Sequence, residues 1–235
     1  MSTQVTTDPA LIPASLPAKD TGGSSKILGR TRVKISLLVL VTIIAGGAIW
    51  WANFGKKRYL PKRFGVVVPG KIYRSGQNSK WLIEDLLVKH KIEGIIDFTG
   101  FDWNDEHQQA ELAAAWKLKI AVNRFPQSGD GTGDIVKYAN ALRIMRDCEI
   151  ANKPLLVHCA AGSQRTGAAV AYYRVLIQKK SPETALEEMR RYDCEPSENG
   201  RLIKYINENM GELANLLVER EVIDRVPKPL PQLVP

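Results

Sequence analysis

Cys159 and Arg165 stand six positions apart on a run of mostly small residues, His158-Cys159-Ala160-Ala161-Gly162-Ser163-Gln164-Arg165-Thr166-Gly167. The run follows an apolar segment, Pro154 to Val157, that reads as a buried strand, and precedes Ala168 to Ile177, which reads as a helix. A strand, a tight turn and a helix N-terminus make an anion site, because turn amides and helix dipole converge on one point. A thiol at the mouth of that field loses its proton more readily. Arg165 offers a planar fork of donors matched to two phosphate oxygens. The chemistry these parts support is in-line attack of a thiolate on phosphorus, giving a cysteinyl-phosphate that water then opens. The loop amides, from Ala160, Ala161, Gly162, Ser163 and Gln164, and Arg165 would hold the equatorial oxygens. Gly162 and the two alanines let backbone approach phosphate closely. Thr166 can turn its hydroxyl to the sulfur, and His158, preceding the nucleophile, orients the loop from behind.

Competing readings of the same residues are a metal site and sulfur transfer of the rhodanese type. Cys148 and Cys194 stand in no Cys-x-x-Cys or His-x-x-His pattern, so no metal and no cofactor are expected. A sulfur-transfer loop does not require the Arg-Thr-Gly step into a helix.

His-Cys-x-Ala-Gly-x-x-Arg-Thr-Gly resembles the signature of the cysteine-dependent protein tyrosine phosphatase superfamily. Tyr73-Arg74-Ser75-Gly76-Gln77 and Ser181 to Met189 are similar to its compact dual-specificity-like branch in bacteria and fungi. The resemblance covers residues 65–215. It implies Cys159 as nucleophile, Arg165 as phosphate ligand and Thr166 as the assisting hydroxyl. It also implies an aspartate on a separate loop, about thirty residues before the nucleophile, as general acid. Phe125 to Asp134 is glycine-dense and precedes a helical pattern, which makes Asp130 the expected acid. Asp134 competes but sits where a helix N-cap belongs, and the Asp102 to Glu106 loop is a third candidate. There is no Trp-Pro-Asp loop.

Elements that would position this loop alternate along the chain. Gly65–Val68 and Lys71–Tyr73 suggest a hairpin, Trp81–Val88 a helix, Gly94–Phe98 a strand, Asp105–Trp116 a helix and Lys119–Arg124 a strand. The expected fold is α/β, a central, mostly parallel sheet flanked by helices. Ser181-Pro182 reads as N-cap and N1 of a helix, and Leu202, Ile206, Met210, Leu213 and Leu217 as one apolar stripe. The nucleophile then lies at the carboxyl end of a strand, where open α/β sheets bind ligands.

The chain has 235 residues and a formal net charge of +8. Residues 1–30 are polar and read as disordered. Ile35 to Ala52 carries no charge, and residues 33–52 read as one transmembrane helix, with Trp50 and Trp51 at its interfacial end. Residues 53–64 are a basic juxtamembrane linker, read either as a headgroup contact or as a stop-transfer flank. Residues 216–235 form a Pro-rich tail, expected to be extended and solvated. Basic residues flank both ends of the span, so charge alone does not orient it; a reactive thiolate favours a cytoplasmic domain. Expected partners are a membrane and a phosphorylated protein or lipid. No basic-aromatic pattern points to nucleic acid. The loop interior carries no lysine, which favours phosphotyrosine or dual-specificity protein substrates over highly phosphorylated inositols. A phospholipid headgroup phosphatase and a catalytically weak phosphate-binding module are the alternatives.

Overall fold

The computed structural model describes residues 24–235, in two separate units, Met1–Ala52 and Asn53–Pro235. In the first, helix α1 (Ser24–Trp50) continues into a π-helical turn at Trp51. Lys34–Asn53 has a mean hydropathy of 2.2 and no buried side chains, so α1 is long and apolar enough to cross a membrane. Of the expected disordered segment 1–30, residues 1–23 lie outside the described residues and 24–30 belong to α1.

The second unit begins with a short helix α2 (Lys56–Tyr59), then β1 (Gly65–Val68) and β2 (Ile72–Gly76). There follow α3 (Ile83–Lys89), β3 (Gly94–Asp97), α4 (Glu106–Leu118), β4 (Ala121–Arg124), α5 (Ile135–Ala151) and β5 (Leu155–Cys159). Helices α6 (Gln164–Tyr172), α7 (Pro182–Arg191) and α8 (Gly200–Glu219) complete it. The sheet runs β1-β2-β5-β3-β4, with β1 antiparallel to β2 and every other pairing parallel. The expected mixed α/β architecture and opening hairpin are both present.

Strand β5 is central and buried at every position, as a strand covered on both faces must be. Its alternation sorts side chains between two cores. Leu155, Val157 and Cys159 face the cluster of α5, α6, α7 and α8, whereas Leu156 joins Ile95 and the residues of α3 and α4. His158 therefore points to the α4 side while Cys159 points to the α6 side. One residue of register separates the two environments.

Helix boundaries follow their caps. Asp105 accepts from the His107 and Gln108 amides, Asp134 from Val136, and Ser181 from Thr184 with Pro182 next in line. Lys119 and Asn152 end α4 and α5 in the left-handed conformation, which is why β4 starts at Ala121 rather than at Lys119. The helix expected at Ala168–Ile177 begins four residues earlier, at Gln164, and passes into a π-helical turn at Tyr173. The C-terminal tail departs from expectation: Leu233 is buried, its N–H and C=O both paired to the Asn207 side chain. An apolar residue flanked by prolines gained more from the groove beside α8 than from water.

Candidate active site

Cys159 closes β5, and the loop that follows turns back so that the Gly162 N–H donates to its sulfur at 3.1 Å. Gly162 has φ +78°, and a Cβ there would meet Gly76 N at 2.5 Å and Ser75 O at 2.7 Å. Only glycine lets this turn sit against the end of β2. Helix α6 begins directly behind the sulfur, with its first-turn amides and dipole directed at the loop.

Burial of the Cys159 thiol would raise its pKa, but the Thr166 hydroxyl, the Thr166 and Gly162 amides and the Arg165 charge together bring it below the ordinary thiol value. The Thr166 hydroxyl is buried beside the sulfur and makes no hydrogen bond of ordinary geometry. Arg165 donates from Nη1 to the Phe98 carbonyl at 3.2 Å, and its Nε is buried without a partner. A guanidinium anchored at one nitrogen and unsatisfied at another is ready for an incoming oxyanion. Ser163 donates to the Asp193 carbonyl, and Gln164 donates to Asn199 Oδ1.

The outward face of the loop was not legible from its own residues. Three consecutive carbonyls each accept from a cation at 2.9 Å: Ala160 from Lys62, Ala161 from Arg63, and Gly162 from Arg74. A peptide whose carbonyl is held outward turns the next residue's amide inward, so these donors fix the direction of the anion cradle. Arg74 is fully buried between Glu188 and the Tyr192 ring, and burial lowers its pKa to about 10 despite those neighbours. Its motif, Tyr73 to Gln77, had signalled kinship without a role. The roles appear here: Arg74 braces Gly162, Gly76 admits the Ala161 backbone, and the Gln77 amide donates to the Ala160 carbonyl.

His158 lies 3.2 Å from Glu111 and 3.9 Å from Asp97, all three buried. Burial alone would lower the imidazole pKa; Glu111 and Asp97 outweigh it and raise it to about 9. Asp97 also takes Arg124 at 2.7 Å and the Thr99 amide and hydroxyl. Among the described residues these three are the group close enough to hold a metal ion. Two carboxylates facing an imidazolium and a guanidinium balance in charge, while both imidazole nitrogens, Glu111 Oε1 and Asp97 Oδ2 are buried without a hydrogen bond of ordinary geometry. Sequence reasoning passed over Glu111 and Asp97, although Asp97 ends an otherwise apolar buried strand and Glu111 shares the inward face of α4 with Ala114 and Ala115.

The Asp130 loop adjoins the loop that follows Cys159: a Cβ on Gly131 would lie 3.2 Å from the Gln164 backbone. Tyr138 and Tyr205 donate to the Gly131 and Gly133 carbonyls and hold it there. Asp130 accepts from the Thr132 hydroxyl at 2.7 Å and the Thr132 amide at 3.1 Å, and pairs with Arg201 at 3.2 Å. The Thr132 hydroxyl, more than any other contact, holds its carboxyl below the usual range. Of the rival carboxylates, Asp134 and Asp105 are N-caps and Asp102 accepts from the Asn104 amide. Cys148 and Cys194 are free thiols, the latter pushed up to about 11 by burial.

Residues 70–203 match a family model described as a DSP-PTPase phosphatase fused to NAD+ kinase. The dual specificity protein phosphatase TpbA of Pseudomonas aeruginosa is 40% identical over 81 residues, 33% of this chain and 35% of that protein. The dual specificity protein phosphatase OPG106 of vaccinia virus is 38% identical over 63 residues, 26% of this chain and 37% of its own length. The alignment thus spans about a third of these curated relatives. Among solved structures, the catalytic core of the PP-IP phosphatase SIW14 from S. cerevisiae superposes with TM-score 0.55 at 23% identity, covering 73% of this chain and 97% of that one. P. aeruginosa TpbA gives 0.53 at 21% identity, covering 68% and 91%. At these identities the likeness is one of fold.

Proposed function

The chain belongs to the family described as a DSP-PTPase phosphatase fused to NAD+ kinase, and on that premise we propose that it hydrolyses phosphomonoesters through a cysteinyl-phosphate on Cys159. The observation that carries this reading is a buried thiol whose pKa is nevertheless depressed, at the N-terminus of a helix and beside an unsatisfied arginine. Cys159 Sγ attacks phosphorus and the S–P bond forms as the bond to the ester oxygen breaks. Arg165 and the amides of Ala160 to Gln164 carry the equatorial charge. The carboxyl of Asp130 gives its proton to the departing oxygen. Water then attacks phosphorus and Asp130 takes its proton. The S–P bond breaks, inorganic phosphate leaves, and the Thr166 hydroxyl stabilises the returning thiolate. His158 acts from behind, holding Cys159 through the backbone while its ring stays with Glu111.

Asp130 must let go of Thr132 to reach the leaving group, so the glycines at 129, 131 and 133 supply the hinge for a short loop closure. A phosphate dianion in the cradle raises the carboxyl's pKa and prepares it as an acid. Protein-bound phosphate is one substrate class, in keeping with the name of TpbA, and a lipid headgroup the other. Helix α1 serves as a single-pass anchor, with the catalytic unit in the reducing cytoplasm where the thiolate persists. The test is turnover of an aryl phosphate by the full chain with chelator present. Cys159→Ser should abolish it, and Arg165→Ala should cost at least about a hundredfold. Undiminished turnover in Cys159→Ser would remove the proposal.

A further inference from the structure

Beside the phosphate loop lies a cavity of about 590 Å³ whose lining includes Ala160, Lys56, Lys62, Arg63, Gln77 and Ser79. Ala160 belongs to both: it follows the nucleophile in the chain and also forms part of the cavity wall. The basic wall comes from residues 56–63, ahead of the family-matched region at 70–203. Two acids also border the cavity, and both are engaged. Asp193 pairs with Arg63 at 2.7 Å, and Asp105 caps α4. The lining also holds unusual polar groups. Both amide atoms of the Gln77 side chain and the Ser79 hydroxyl are buried and make no hydrogen bond within the protein. A buried orphan of this kind is destabilising until a ligand supplies its partner.

We propose that this cavity is a second subsite, which takes the second phosphate and neighbouring hydroxyls of a phosphorylated polyol while its first phosphate sits in the Cys159 loop. The assignment rests on the loop being the phosphate site. Cations on the linker side meet the second anionic group, with the Lys56 ammonium as a point charge for it. Gln77, both donor and acceptor, and Ser79 match hydroxyls that can play either part. Apart from the imidazole of His107 the lining holds no aromatic ring for a phenol to stack on, and Leu60 and Pro61 are its larger apolar side chains. The absence of lysine from the loop interior therefore does not exclude a multiply phosphorylated substrate, because the cations come from the linker.

Calorimetry on the full chain in detergent, carrying Cys159→Ser to prevent turnover, tests this without relying on catalysis. One arm compares fructose 1,6-bisphosphate with fructose 6-phosphate. The other compares short-chain phosphatidylinositol 4-phosphate, which has a monoester and a diester phosphate, with short-chain phosphatidic acid, which has the monoester alone. The two-phosphate ligand should bind at least about tenfold tighter in one arm or both. Lys56→Glu and Ser79→Ala should each shrink that preference while leaving affinity for the one-phosphate partner within about twofold. Preference in the sugar arm alone assigns the site to free polyols, and in the lipid arm alone to headgroups. Equal affinity for one- and two-phosphate ligands in both arms overturns the subsite. So does a preference that neither variant changes. Failure of aryl phosphate turnover is a separate result, which would strike the phosphatase reading instead.

Discussion

Asp130 and Glu111 each govern a proton at some remove from the sulfur, and each yields a test. Thr132 is the principal cause of the depressed Asp130 carboxyl. Thr132→Val should shift the alkaline limb of the pH profile of kcat/KM for a phosphotyrosine peptide to higher pH, while Asp130→Asn should cost about 10²–10⁴-fold and erase that limb. An unmoved limb in Thr132→Val would assign the acid to another carboxyl. Glu111 acts on stability. The His158 pKa rises from about 6.5 unfolded to about 9 folded, so its proton stabilises the native state below pH 6.5, and that contribution is lost as pH climbs through 9. Thermal melts should show stability falling across this window by up to about 3 kcal/mol, and Glu111→Gln should flatten the fall. An equal slope in both proteins would mean that His158 is neutral at neutral pH.

At the scale of elements, the site is the junction of β2, β5 and α6, and its tightest point is Gly162 against Ser75 and Gly76. Gly162→Ala should lose at least about 2 kcal/mol of stability and most of its turnover, because backbone rather than a movable side chain stands in the way. A variant that melts and turns over like wild type would mean that the loop can move off β2. The strand–loop–helix unit was legible in the sequence because a buried strand, small loop residues and a helix pattern occur consecutively. Caps were legible for the same reason: Asp134 and Ser181 act within three residues. What escaped were partners distant in sequence. Lys62, Arg63 and Arg74 reach the loop from 88 to 98 residues away, and no local pattern records which carbonyl a cation will meet. Glu111 and Asp97 left a trace, an acid on an inward face, whose meaning depended on His158 lying opposite.

For the whole molecule, the linker is the part whose sequence reading changed most. Residues 53–64 looked like a flank to the apolar helix, yet Lys62 and Arg63 hold two carbonyls of the loop that follows Cys159. A chain beginning at Asn53 should keep the aryl phosphatase rate of the full chain, whereas one beginning at Gly65 should lose at least about tenfold in kcat/KM. Equal rates in the two truncations would reduce the linker to a tether. The tail has a similar lesson, since Leu233 is buried beside α8 in spite of its Pro-rich surroundings. The account as a whole stands on a covalent bond between Cys159 and phosphorus. Rapid acid quench during turnover of an aryl phosphate, followed by peptide mass spectrometry, reads that bond directly. The expected result is phosphate on the peptide bearing Cys159, appearing within the first turnover and absent from Cys159→Ser; steady turnover with that peptide unmodified at every quench time would contradict it.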